Sequence, residues 1–330
     1  MLPEAGWSRS AVEIIGSKAR QVLAPGSRGH VLAGRSHVVY LRSADGELVW
    51  LAPGDVPMHR RGIRLAAGLP HGSTGSTYRV TDDWSLVGLA MEIDLRSAPI
   101  WDPQPPGARA KLMPADDDWH HRLAGAILRD LPEPRGFGVM LPGILDPSQI
   151  AHAYRMATRF DGILSDQALR AVIGIAGACR DHDLPRILVQ AGDLVGLGDG
   201  LTPCGDDFLG GLLFGLVALR RGPGGHSWCS SGNLSLFVEW SKPRTNEISY
   251  SLLRDHAEGH GLDTLERFAL GLLERWSGRE IWAAASALIG LGHSTGWSLM
   301  AGVWTALALA PSREERTLRR ASPAAKPAMC

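Results

Sequence analysis

The feature that most constrains this fold is a change of hydrophobic periodicity across one proline-rich stretch. Residues 99–114 read PIWDPQPPGARAKLMP. Proline removes a backbone donor and biases the residue before it away from helix, so regular structure is expected to break there. Before it, HVLAGRSHVVYLRS (30–43), GELVWLAP (46–53), STYRVTD (76–82) and WSLVGLAMEIDL (84–95) are rich in β-branched and aromatic residues, and ADGE (44–47) reads as a hairpin turn between the first two. After it, apolar residues recur three and four apart. Helices are predicted over 115–131, 147–160, 164–182, 184–195, 208–221, 247–259, 262–276, 279–290 and 296–310. The expected class is α+β: a β-rich N-terminal domain over 1–105, a mostly α-helical domain over 106–310, and a disordered tail over 311–330, which lacks a sustained apolar pattern.

A chain of 330 residues, 45% hydrophobic, has room for two such domains. Its 34 basic and 34 acidic residues cancel, so charge supplies no reason to expect nucleic acid or an anionic membrane as partner. Cys179, Cys204, Cys229 and Cys330 form no C-x-x-C pair, which points away from zinc and redox motifs. The first twenty residues lack an apolar signal core, and no run reaches the ~18 apolar residues of a membrane span. The expectation is a reduced, cytoplasmic protein.

The densest motif is GLGDGLTPCGDDFLGGLLFGL, Gly196 to Leu216. It is not a phosphate loop of the GxxxxGK[ST] kind, since no Lys lies between Gly196 and Leu219. It is not a dinucleotide fingerprint either: counted from Gly196, the third glycine position holds Leu201. Glycines at 196, 198, 200 and 205 allow positive φ and close approach to a ligand. A helix starting near Gly205 would aim unpaired N–H groups and a positive dipole end at the loop, a setting suited to an anion. Asp206 and Asp207 complicate that picture, because they occupy the same positive end. Three roles are open for the pair: holding magnesium between carboxylate and substrate oxygens, accepting hydrogen bonds from a substrate amide, or capping the helix and bracing the loop.

An internal echo accompanies the loop. With Gly205 placed over Gly296, GDDFLGGLLFGL lies on GWSLMAGVWTAL without a gap, matching Leu209 to Met300, Gly211 to Gly302 and Leu216 to Leu307. Each copy follows a glycine-containing loop, GLGDGLTPC and GLGHST. Chance small-residue spacing is one explanation. The other is a repeat whose two helix N-termini aim at one site.

GLGDGLTPCGDDFLGGLL resembles the signature GLGxGLTPxGDDxLxG of the oxamate carbamoyltransferase subunit AllH family. TNEISYSLLRDHAEGH (245–260) is similar to that family's Thr-x-x-x-Ser helix with a trailing glycine, and GHSTGWSLMAGV (292–303) to its C-terminal Ser/Thr-Gly helix start. The departures are Asp199, where a small or apolar residue is expected, and Cys204, where Ser or Thr is usual. The resemblance implies carbamoyl transfer to a small carboxylate: oxamate and carbamoyl phosphate give oxalurate and phosphate, at the end of allantoin (purine) catabolism. It also implies partner subunits, one of them similar to acyl-CoA synthetases.

On that reading the candidate catalytic residues are Asp206, Asp207 and His293. The candidate contacts to a small anionic substrate are Gly198, Gly200, Thr202, Gly205, Arg244, Thr245, Ser249, Ser294, Thr295 and Gly296. Asp206 and Asp207 are also the candidate magnesium ligands; no other cofactor is indicated. Ser249 follows Thr245 by four positions, which would put both on one helical face. Cys204 is a poor nucleophile, since nearby carboxylates raise a thiol's pKa. The competing reading is a metabolite-binding or structural subunit of the same transfer complex without catalysis of its own.

Overall fold

The computed structural model describes residues 8–66, 68–70, 73–103, 119–153, 155, 166–222 and 228–308. The chain divides into two compact units, Met1–Pro105 with His260–Glu266, and Pro106–Gly259 with Arg267–Cys330.

The first unit is built on strands β1 (Ser8–Gly16), β2 (Arg28–Arg35), β3 (Val38–Ser43), β4 (Leu48–Pro53), β5 (Gly62–Leu65), β6 (Thr77–Val80), β7 (Ser85–Val87), β8 (Met91–Asp94) and β9 (Ile100–Trp101), with a short helix α1 (Ser17–Val22) after β1. The strands run in the order β5-β4-β3-β2-β6-β7-β8-β1-β9, and β1 also pairs with β5. That extra pairing closes eight strands into a barrel, with β9 added beside the C-terminal end of β1. Closure removes the exposed strand edges that an open sheet must protect.

The ADGE turn joins β3 to β4 as an antiparallel hairpin, with Gly46 at φ 82°. The run 30–43 is two strands rather than one, because Ser36 and His37 turn the chain between β2 and β3. Along β3 every second residue is buried, the period expected of a strand with one face to the core. Ile15, Val31, Leu41, Leu51, Ile63 and Ile93 fill the barrel interior. On β4 the other face is covered too: Trp50 stacks on His59 at 4.9 Å, and the fully buried Arg61 donates to Glu47 (2.8 Å) and to the Leu48 carbonyl (3.0 Å).

The second unit is helical: α2 (Trp119–Asp130), α3 (Leu141–Leu145), α4 (Asp166–Asp181), α5 (Leu184–Ala191), α6 (Cys204–Arg221), α7 (Ser231–Ser241), α8 (Glu247–Glu258), α9 (Asp263–Glu274, whose first turn belongs to the barrel unit), α10 (Gly278–Ile289) and α11 (Thr295–Ala308). The α+β reading therefore holds. Helix α7 is an addition that periodicity did not reveal. Its buried positions Leu234, Phe237, Val238 and Ser241 have helical spacing, but exposed Leu236 and Trp240 blur the apolar stripe. The predicted tail 311–330, the proline stretch beyond residue 103 and the later part of the helix predicted at 147–160 lie outside the described residues.

Helix α6 is the centre of this unit, buried at every residue from Cys204 to Leu219. Acidic residues open it and Arg220 and Arg221 close it, which complements the helix dipole at both ends. Its main neighbour is α11, the other half of the sequence echo. A Cβ on Gly211 would lie closer than 3.0 Å to the Leu299 carbonyl and Val303 nitrogen; a Cβ on Gly302 would meet the Phe208 carbonyl and Leu212 nitrogen in the same way. These are the same contacts with the two copies exchanged, so the helices cross about a local two-fold relation.

Candidate functional site

The two-fold relation extends into the loops that precede α6 and α11. Leu197 N–H donates to Leu194 O at 3.1 Å, and Leu291 N–H to Leu288 O at 3.1 Å. Gly205 N–H donates to Leu197 O at 2.9 Å, and Gly296 N–H to Leu291 O at 3.1 Å. Asp207 N–H donates to Pro203 O (3.0 Å), as Ser298 N–H does to Ser294 O (2.9 Å). LVGLG (194–198) thus corresponds in these hydrogen bonds to LIGLG (288–292), although Gly196 is left-handed (φ 73°) and Gly290 is not (φ −65°), and the first loop is longer by the three residues Asp199, Gly200 and Leu201. A gap of that size hides the loop match from an ungapped comparison of the helices. Gly196, Gly198 and Gly200 have φ of 73°, 110° and 98°, and Gly292 has 55°, so these glycines serve backbone conformations that other residues rarely adopt.

The loops bring Thr202 and Thr295 together, their Oγ1 atoms 3.3 Å apart. The N-termini of α6 and α11 therefore meet. Two parallel helix dipoles aimed at one point make it electropositive, and the chain places Asp207 there. Asp207 is buried, and its Oδ2 has no hydrogen-bond partner. Burial drives its carboxyl well above the usual carboxylate range, with the Asp206 charge adding to the rise, against hydrogen bonds from the Thr295 and Thr202 hydroxyls.

Asp206 sits differently. Its Oδ1 accepts the Gly196 N–H at 2.8 Å and its Oδ2 accepts a hydrogen bond from the Thr245 hydroxyl. Burial raises its carboxyl, while Gly196, Thr245 and Ser249 oppose that rise. Thr245 and Ser249 both serve Asp206, but not as two positions of one helical face: Thr245 is extended and lies before Asn246, which caps α8 by accepting from Ile248 N–H and Ser249 N–H, both at 3.0 Å, while the Ser249 hydroxyl also reaches Leu201 O at 3.5 Å. Asp206 is thereby the pin that ties the start of the first loop to the start of α8.

Arg244 contributes backbone here: its carbonyl packs against Gly196, where a Cβ would clash. Its guanidinium lies 3.8 Å above the Trp240 ring and donates to the Trp240 carbonyl at 2.6 Å. The Cys204 thiol is buried and turned to Leu197 O at 3.6 Å. Asp199 is exposed on the inserted part of the loop.

His293 is exposed at the second loop, next to half-buried Ser294 and Thr295. Its Nδ1 lies 2.5 Å from the Arg135 guanidinium. Arg135 precedes a buried 3-10 turn, Gly136–Met140, that docks on the start of α11: Phe137 N–H donates to the Ser298 hydroxyl at 3.3 Å, and a Cβ on Gly136 would strike Ser298 and Ser294. Arg135 is a cation beside the site that sequence reasoning did not single out. It lies 158 residues from His293, and no local motif surrounds it.

Among the described residues no group of three or more His, Cys, Asp or Glu is placed to hold a metal ion. Both Asp206 oxygens already have hydrogen-bond donors, so a cation shared by the two aspartates would have to displace the loop pin. Among the described residues, no helix is long and apolar enough to cross a membrane.

The molecule is thus an α+β protein with a barrel unit and a helical unit, the latter carrying two related glycine loops that meet at paired helix N-termini. The family model described as oxamate carbamoyltransferase subunit AllH matches residues 194–307. That segment holds both loops, α6, α8 and α11, and the resemblance of the glycine loop is to that family. No curated protein and no solved structure matches the chain.

Proposed function

We propose that this chain is a subunit of a carbamoyltransferase and that the meeting point of α6 and α11 binds its small anionic substrates. The observation that carries the reading is the overlap between the matched segment, residues 194–307, and the residues that form the paired loops. The reaction that fits the family description moves a carbamoyl group from carbamoyl phosphate to oxamate. The amide nitrogen of oxamate attacks the carbamoyl carbon, the C–O bond to phosphate breaks, and the proton lost from nitrogen leaves with phosphate. Such a step needs two small anions held in contact and donors aimed at the carbonyl oxygen as charge develops.

In this assignment Thr202, Thr295, Ser294 and the glycine backbones at 198 and 200 form the cradle, while Gly205 and Gly296, whose N–H groups donate to the Leu197 and Leu291 carbonyls, let each helix start pack against its own loop. Arg135 and His293 supply positive charge and a proton-transfer group at its rim. Asp206, Thr245 and Ser249 hold the first loop in place. The division into a domain over 1–105 and a helical domain from 106 belongs to the same proposal, with the second domain carrying the chemistry. Partner subunits complete the active site in this proposal, a reading supported by the family's description as a subunit.

The test is calorimetric titration of the full chain with carbamoyl phosphate and with oxamate, alone and with co-expressed partner subunits, together with an assay of oxalurate formation. Binding that is weakened at least tenfold by Thr202→Val and by Arg135→Ala, in proteins that still fold, is the expected result. Oxalurate formation by the partners alone, at the rate of the whole complex, would leave this chain a structural subunit.

A further inference from the structure

Helix α7 carries apolar residues on both of its faces. One face buries Leu234, Phe237 and Val238, while Leu236 and Trp240 stand exposed. A helix that is apolar all round is normally covered on every side. Of the five large hydrophobic side chains exposed among the described residues, three fall on α5 and α7: Val189 (71% exposed), Leu236 (70%) and Trp240 (44%). The Trp240 ring joins the two elements, since a Cβ on Gly192 would lie 3.1 Å from it. Gly192 follows Val189 by three positions, and Leu236 precedes Trp240 by four, so each pair shares a side of its element. Phe237, stacked on Trp240 at 5.8 Å, ties the group to the core. Single exposed apolar residues are ordinary, whereas a contiguous group marks a contact surface.

The charges beside this patch are one-sided. The Arg244 guanidinium lies 3.8 Å above the Trp240 ring and is fixed there by its bond to the Trp240 carbonyl; among the described residues no carboxylate pairs with it. The Lys242 ammonium lies 5.3 Å over the Tyr250 ring, again without a carboxylate among the described residues. The acids next in the chain to Gly192 and Trp240 are engaged: Asp193 accepts from Gln167 at 3.1 Å, and Glu239 accepts from the Tyr250 hydroxyl at 2.6 Å. The charge left uncommitted here is therefore positive.

We propose that Val189, Leu236, Trp240 and Arg244 form the docking surface for a partner subunit, which covers Trp240 with apolar side chains and pairs a carboxylate with Arg244. This rests on the subunit reading above and says where the partner sits. Three observations select that occupant. The matching family is described as a subunit, so a partner chain is called for. The uncommitted positive charge fits an acidic surface; a second copy packed patch to patch would set Arg244 beside Arg244 and Lys242 beside Lys242. The patch also borders the site, because the Arg244 carbonyl packs on Gly196 at the start of the first glycine loop. A chain docked on Arg244 is placed to complete that site. Trp and Arg are the residue types that dominate binding at interfaces, and a guanidinium already ordered on the ring has less freedom to lose when a partner arrives.

The test is the affinity of the full chain for its co-expressed partner subunits, read by biolayer interferometry at two salt concentrations. Val189→Asp and Leu236→Asp alter side chains that stand mostly in water, so both variants should fold, as circular dichroism checks. Each should weaken assembly at least tenfold. Arg244→Glu should do the same, and the association that remains should lose the acceleration that low salt gives the wild type. Trp282→Ala, at an exposed tryptophan of α10, is the comparison and should leave assembly unchanged. A complex that survives the three patch substitutions, or is weakened as much by Trp282→Ala, overturns the docking surface and leaves the proposed function standing. A wild-type chain that binds no partner subunit overturns both. A dimer of this chain alone that Leu236→Asp dissociates, with partner binding unaffected, would make a second copy the occupant and overturn the choice of partner.

Discussion

Asp206 and Asp207 are neighbours in the chain with opposite hydrogen-bond circumstances, and they should respond oppositely to substitution. Asp206→Ala strands the half-buried Gly196 N–H and frees the Thr245 hydroxyl, at a cost of about 1–3 kcal/mol for the orphaned donor. Urea unfolding near neutral pH should show that loss. Asp207→Asn removes a group whose folded pKa lies above its unfolded value. For such a group the stabilising contribution is complete below the unfolded carboxylate range, near 4, and declines as pH rises through the folded pKa. Wild-type stability should therefore fall from mildly acid to alkaline pH, and Asp207→Asn should flatten that slope. An unchanged slope would mean that Asp207 is ionised at little cost.

Between elements, the crossing of α6 and α11 is set by glycines, which gives a prediction in which sign matters. A helix-interior Gly→Ala change normally gains about 1 kcal/mol from propensity. At Gly125, an exposed position of α2, nothing lies within 4 Å of a new Cβ, so Gly125→Ala should show that gain. At Gly211 and Gly302 the Cβ would enter the backbone of the facing helix, and overpacking of this kind costs about 1–3 kcal/mol or more. The two losses should be similar in size because the contacts are related by the local two-fold. Chemical denaturation of the three variants decides the matter, and unequal losses at 211 and 302 would argue against an equivalent pairing of the copies.

Over the whole molecule, the barrel unit is discontinuous in sequence, since it takes in His260–Glu266. Asp263 N–H donates to Met58 O at 2.9 Å, and Glu266, which accepts the Gly261 N–H at 3.1 Å, is pushed by burial up to about 7. A fragment ending at Pro105 lacks these residues. It should exchange its Met58–Leu65 amide hydrogens faster than the full chain does, and equal protection in the two would make the later segment dispensable. In the full chain, Glu266 adds stability that is whole below about pH 4 and lost as pH rises through about 7. Glu266→Gln should remove that part of the pH dependence, as read by thermal unfolding at several pH values.

Local chemistry determined a good part of this protein. β-Branched runs, the ADGE turn and the proline stretch mark where the strands end, and three-four spacing marks the long helices, because these patterns reflect steric preferences and burial of one face within a few residues. The glycine loop was legible for the same reason: positive φ needs glycine wherever the chain folds. Other features depend on residues far apart. Closure of the barrel by β1 on β5, the recruitment of 260–266 and the contact between Arg135 and His293 leave no short-range signature; the likeness of the two glycine loops was visible in GLGDGLTPC and GLGHST, and the structure added which of their hydrogen bonds correspond. Even the two aspartates, adjacent and identical in sequence, acquire different roles only when α8 supplies Thr245 to one and α11 supplies Thr295 to the other. Residue type offers a carboxyl group; the packing of distant helices decides which one is satisfied by the protein and which is left with an unpartnered oxygen, because hydrogen bonding and desolvation act through space rather than along the chain.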